Sequence, residues 1–237
     1  PMLLTRNSIR LLSISAIASL MLGAGVDYSL NLPKGFPIPD IPLDNKLTED
    51  RVALGRKLFF DNILSLDSSK SCSSCHIPAL AFTDGKKVSE GIKGRKVVRN
   101  SSSLANVAYM KGLMRDGGIP TLEMQVEAPV EEHAELDFSL EFIALRMMKV
   151  PEYVKMSEIA YGRAPDPFVV TRALAAFERT LISGNSPFDQ HFYQHKETLD
   201  PDQLKGYEVF KKKGCENSHS GFLFTHQSFH STGLYLH

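Results

Sequence analysis

Two thiols and an imidazole stand together at Cys72-Ser73-Ser74-Cys75-His76. The pattern is C-x-x-C-H, the attachment signature of c-type haem. Two thiols three positions apart can each add to one vinyl group of a single porphyrin. The adjoining imidazole is then held under the iron as its axial ligand. The chain has 3 Cys and 8 His in 237 residues. With that composition the pattern arises by chance roughly one time in a thousand. Other chemistries would use the same atoms. Cys72, Cys75, Cys215 and His219 make a tetrahedral Cys₃His set for zinc, which leaves His76 idle and lacks a second C-x-x-C pair. A thioredoxin-like dithiol needs a strand–helix–strand setting, and none is visible. A plain disulfide is the remaining reading.

A second cluster, Cys215-Glu216-Asn217-Ser218-His219, has the same outline with Ser218 where a second thiol would stand. Each cluster is preceded by a related stretch. Gly55-Arg56-Lys57-Leu58-Phe59 leads into Cys72, and Gly206-Tyr207-Glu208-Val209-Phe210 leads into Cys215. Both read G-x-x-[LV]-F, and in both a His follows the Cys by four positions. A short match shared ahead of two Cys/His clusters points to an internal duplication.

The elements that must position these groups are helical. Thr48 is a candidate N-cap, with Glu49 and Asp50 at the positive helix end and Val52, Leu54, Leu58 and Phe59 on one side. Asp137 is read as the cap of a second helix carrying Leu140, Ile143, Ala144 and Met147, which Pro151 ends. Asp166-Pro167 opens a third, with Val170, Ala173, Leu174, Phe177 and Leu181 on one face. Asp200-Pro201 opens a fourth, with Leu204, Tyr207 and Phe210 inward and Gly214 at its end. Residues 31–44 hold four prolines and read as extended chain. Residues 61–135 show no helical period, and loops that long commonly hold a cofactor. The class is mainly α.

Lys+Arg and Asp+Glu both number 27, which removes the basic surplus that nucleic-acid binding needs. Arg6 and Arg10 precede the apolar run 11–25, which ends in small residues. At about 15 apolar residues the run reads as a secretory signal, since a membrane span needs about 20. The mature protein is therefore expected in the periplasm.

Taken together, these residues resemble the bacterial di-haem cytochrome c peroxidases and their MauG-like relatives. The resemblance runs from about Leu32 to the end of the chain. It is carried by LTEDRVALGRKLFFD, SCSSCH, AFTDG, RNSSSLANVAY, MRDGG, LEMQ, FERTLISGNSPFD and GCENSHSGFLFTHQSF. It implies two α-helical cytochrome c-like lobes with long loops. The expected organisation is a signal peptide at 1–25, an extended lead at 26–46, a peroxidatic haem lobe at 47–195, and the start of a truncated second lobe at 196–237. It implies that Cys72 and Cys75 bind haem c and His76 its iron, with Cys215 and His219 as the counterparts for a second haem. Gln125 and Glu135 match the distal pair, where a carboxylate moves a proton between the peroxide oxygens. Asn100 matches a calcium ligand, and a neutral oxygen suits that ion. The implied reaction is reduction of hydrogen peroxide to water with electrons from a small donor such as a cytochrome c or a cupredoxin. A homodimer is compatible with it.

Three departures accompany the resemblance. Arg115 stands where relatives carry a Trp between the haems. Ile92 stands about where some relatives place a blocking His. Ser218 replaces a thiol. One covalent haem is therefore expected, with Leu204, Tyr207 and Phe210 left uncovered and the chain after about Lys211 poorly ordered. The alternative reading is a mono-haem electron carrier, or a fragment without peroxidase activity.

Overall fold

A computed structural model describes residues 25–230. The expected signal segment, all but Gly25, lies outside the described residues. Among those described, no helix is long and apolar enough to cross a membrane.

The helices are α1 (Glu49–Phe60), α2 (Leu122–Gln125), α3 (Glu127–Glu131), α4 (Leu140–Met148), α5 (Pro151–Tyr161), α6 (Pro167–Glu178), α7 (Pro187–Gln194) and α8 (Pro201–Lys212). Between α1 and α2 the chain runs through short 3₁₀ turns, and among the described residues extended pairing is limited to isolated bridges such as Ile77 with Thr83. The mainly α class holds.

Polar side chains start the helices by taking up free backbone N–H groups. Thr48 accepts from Arg51 N at 3.3 Å, Asp166 from Val169 N at 2.9 Å, and Asp200 from Gln203 N at 2.8 Å. Asp137 does not cap α4. Ser139 does, accepting from Phe142 N at 3.3 Å, while Asp137 sits in a left-handed turn with φ 49°. Pro151 ends α4 and also opens α5 at its first turn, where a missing N–H costs nothing.

The core is the crossing of α1 with α6. Leu54, Leu58 and Phe59 meet Val169, Val170, Ala173 and Leu174, all buried. The approach is close enough that a Cβ on Gly55 would lie 1.8 Å from the Ala173 carbonyl oxygen. Gly206, its counterpart in the repeat, has no atom within 4 Å of such a Cβ. Across the core, Arg179 donates to Glu123 at 2.6 and 2.9 Å. Asn45 donates to the same carboxylate at 2.7 Å, pinning α2 to the end of α6.

Beyond Lys211, Cys215–Asn217 forms a 3₁₀ turn. Tyr207 and Phe210 are partly covered because α7 and the turn after His219 supply aromatic neighbours. Phe188 lies 5.2 Å from Tyr207, and Phe224 lies 6.0 Å from Phe210. Gln227 then joins this segment to the turn after Val107, accepting from Lys111 N at 2.7 Å and donating to Tyr109 O at 2.8 Å.

Candidate cofactor site

Cys72–Ser74 forms one 3₁₀ turn. In such a turn the side chains at i and i+3 eclipse, which turns Cys72 and Cys75 toward one side. Ser71 N donates to Ser74 Oγ at 3.0 Å and closes the turn from its start. His76 N and Cys75 N both donate to Cys72 O, at 2.9 and 3.2 Å. All three cysteines are free thiols.

His76 is oriented by backbone. Its Nδ1 lies 2.8 Å from the carbonyl oxygen of Phe82. A carbonyl only accepts, so Nδ1 carries the proton and Nε2 keeps its lone pair. Ala81 and Phe82 both take left-handed φ, 54° and 59°, which turns the Phe82 carbonyl back to the ring. Phe82 N donates to Ile77 O at 2.9 Å and fixes the loop. Burial holds the His76 imidazole below its usual pKa, so it is neutral, as a metal ligand must be.

Burial pushes both thiols above their usual range. For Cys72 the next cause is the carboxylate of Glu178; for Cys75 it is Asp84. Glu135 raises both. Burial, and then Glu132, push Glu135 itself upward. Its backbone is fixed by Ile92 N, which donates to Glu135 O at 2.9 Å. Gln125 closes α2 and points Nε2 toward Met114 Sδ at 3.9 Å. No hydrogen bond joins Gln125 to Glu135 among the described residues.

The second cluster repeats the first in its backbone. His219 N donates to Cys215 O at 3.0 Å, and Ser218 N to the same oxygen at 3.2 Å. His219 Nδ1 lies 3.2 Å from the carbonyl oxygen of Phe224, again a left-handed residue with φ 53°. Cys215 and His219 are both exposed. Among the described residues no three His, Cys, Asp or Glu side chains converge as a metal ion requires, so the Cys₃His set for zinc is not assembled. Asn100 Oδ1 accepts from Arg115 Nη2 at 2.7 Å. A cation at that oxygen would meet the guanidinium, so these residues as placed do not suit calcium.

Two features were not read from the sequence. Glu178 is buried, and its Oε2 has no partner. Burial pushes its carboxyl up to about 8 against the pull of Arg179. Arg95 reaches across to the turn that carries Glu135. A Glu-Arg pair closing the apolar helix α6 was the available sign of the first; the second joins residues far apart in sequence.

Two free thiols on one turn and a neutral imidazole oriented by the Phe82 carbonyl fit a covalently held haem. Phe82 stands against Phe59 at 6.1 Å, giving the turn an apolar flank.

The profile of the family described as "Di-haem cytochrome c peroxidase" matches residues 49–198. The cytochrome-c peroxidase IdrP1 of Denitromonas iodatirespirans is 35% identical over 238 aligned positions, covering 98% of this chain and 63% of the relative. The methylamine utilization protein MauG of Methylorubrum extorquens is 36% identical over 197, covering 81% and 56%. The chain thus spans less than two thirds of these relatives. A MauG-like protein associated with microbial copper homeostasis has a crystal structure that superposes with TM-score 0.79 at 30% identity. That match covers 88% of this chain and 65% of the other.

Proposed function

Because the chain belongs to the di-haem cytochrome c peroxidase family, we propose that it carries haem c on Cys72 and Cys75, with His76 as iron ligand. We propose that it serves reduction of hydrogen peroxide to water by electrons from a small redox protein. The observation that carries this reading is the bond from His76 Nδ1 to Phe82 O, inside a complete C-x-x-C-H turn. It fixes the ring's tautomer and direction. Residues 47–195 form the peroxidatic lobe in this reading, and 196–237 begin a second. The arginine-led apolar run 11–25 supports export to the periplasm.

When bound, haem supplies the iron at which peroxide is reduced. The residues of the chain do the rest. Cys72 and Cys75 tether the porphyrin, and His76 presents a neutral nitrogen. Glu135, held above the usual carboxylate range by burial, is suited to take the proton from one peroxide oxygen and return it to the other. Gln125 offers an amide for the departing water. Ser218 cannot form a thioether, and His219 is exposed, so one haem per chain is proposed.

Glu135→Gln tests the reading. It is expected to slow peroxide consumption by the haem-loaded protein by about 10²–10⁴-fold, with the haem spectrum unchanged. Kinetics within about threefold of the wild type, against that range, remove Glu135 from the reaction. A haem-loaded wild type with no peroxide turnover favours the electron-carrier reading.

A further inference from the structure

We propose that Arg95 is a positioning residue that fixes the turn carrying Glu135 against the 91–95 loop. The proposal rests on the reading of Glu135 as the proton-moving group.

Glu135 lies in the turn between α3 and α4, which bonds back to α3 through Leu136 N to Pro129 O at 3.2 Å and Phe138 N to Val130 O at 2.9 Å. Glu135 N donates to Glu132 O at 2.9 Å, and Asp137 N to the same oxygen at 3.1 Å. Asp137 is left-handed, a conformation an Asp tolerates but does not favour. The side-chain end of the turn is tied to the loop that follows the C-x-x-C-H motif.

Arg95 Nη1 donates to His133 O at 2.7 Å and to Asp137 Oδ2 at 2.6 Å. These acceptors lie two residues before and two residues after Glu135. Ile92 N takes the Glu135 carbonyl at 2.9 Å. Gly91 N donates to Arg95 O at 2.9 Å, closing the 91–95 loop on itself. Gly91 also lets the two segments touch, since a Cβ there would fall 2.0 Å from Ala134 O and 2.5 Å from Glu135 O. Ile92 is fully buried beneath the contact. Loop and turn thus form one unit, and Arg95 is its side-chain clasp.

The action is geometric rather than electrostatic. Asp137 neutralises the guanidinium, and His133 Nδ1 lies 3.0 Å from the other Asp137 oxygen. The groups facing the Glu135 turn are Glu132, His133, Asp137 and Arg95, and the Glu135 charge acts on Cys72 and Cys75. Of the charged ones, Glu132 acts on Glu135, and it acts in the same direction as burial. Releasing the clasp would let the carboxyl swing toward water and lose that burial. Small misplacements of a catalytic group can cost up to about 10²-fold in rate.

The test uses the haem-loaded full chain and the variants Arg95→Gln, Arg95→Lys and Asp137→Asn. Arg95→Gln is expected to lower kcat for peroxide by about tenfold or more with KM unchanged, and Arg95→Lys to recover part of the loss. The acid limb of the kcat/KM profile should move to lower pH. Independently of turnover, the infrared carboxyl band that Glu135→Gln removes should titrate at lower pH in Arg95→Gln than in the wild type. Should Arg95→Gln fail to fold, Asp137→Asn opens the same clasp from the other side and keeps a residue that tolerates the left-handed turn. Loss of activity in Glu135→Gln, with wild-type rate, profile and carboxyl titration in the clasp variants, overturns the proposal and leaves Glu135 in place. No loss in Glu135→Gln overturns the reading on which the proposal rests.

Discussion

The Nδ1 of His76 lies 2.8 Å from the carbonyl oxygen of Phe82, and the same joint recurs between His219 and Phe224 at 3.2 Å. In both, the accepting residue is left-handed and the His amide bonds back to the first Cys. The duplication read from two short G-x-x-[LV]-F stretches therefore extends to the local geometry of the histidines. The environments differ: His76 is enclosed and neutral, whereas His219 lies in solvent. A ligand-orienting bond is worth most where burial also excludes competing water.

Phe82 contributes through its backbone to His76 and through its ring to Phe59. Phe82→Gly should separate the two, because glycine takes φ near 59° without strain. We expect a loss of about 2–4 kcal/mol from the missing half-buried ring, read by urea unfolding. The axial-ligand bands of the loaded haem should be retained. Loss of the histidine ligation spectrum at unchanged stability would show the roles to be reversed.

The two repeat glycines should respond in opposite ways. Gly55→Ala drives a Cβ into the Ala173 carbonyl and should cost about 3 kcal/mol or more by overpacking. Gly206→Ala meets no atom within 4 Å and should gain about 0.5–1 kcal/mol from reduced chain entropy. Thermal unfolding of both variants checks the contrast; equal shifts would mean that Gly55 is not a packing requirement.

What was legible in the sequence was local. The C-x-x-C-H turn lies within five residues, and the caps Thr48, Asp166 and Asp200 each act within three. Asp137 was misread because the competing partner of its carboxylate, Arg95, lies 42 positions away. A carboxylate claimed by a distant guanidinium is not free to cap a helix. Pro151 was read as a stop, yet a proline also suits the first turn of the next helix, and α5 was missed. The neighbours that cover Tyr207 and Phe210 come from α7 and from beyond His219, separations that no periodicity records. The distal pair came from resemblance; what holds Glu135 in place is tertiary.

Glu178 predicts a pH dependence of stability. Unfolded, its carboxyl ionises in the ordinary range; folded, burial raises it to about 8. Between those values the folded chain holds one more proton than the unfolded chain. Stability must then fall as pH rises, by at most about 1.4 kcal/mol per pH unit for one group, and level off above the folded value. Glu178→Gln should flatten this slope and stabilise the protein at the alkaline end. Urea midpoints of the haem-loaded chain from about pH 5 to about pH 9 measure it. Slopes that match between wild type and variant would show that Glu178 has a partner when folded.

Covalent haem at Cys72 and Cys75 leaves its mark in denaturing mass spectrometry. The protein should be made in a host able to attach haem c. The unfolded wild-type polypeptide is expected to carry the added mass of one haem, and Cys72→Ala/Cys75→Ala to carry none. An unshifted wild-type polypeptide, with its haem extracted into acid–acetone, would contradict it.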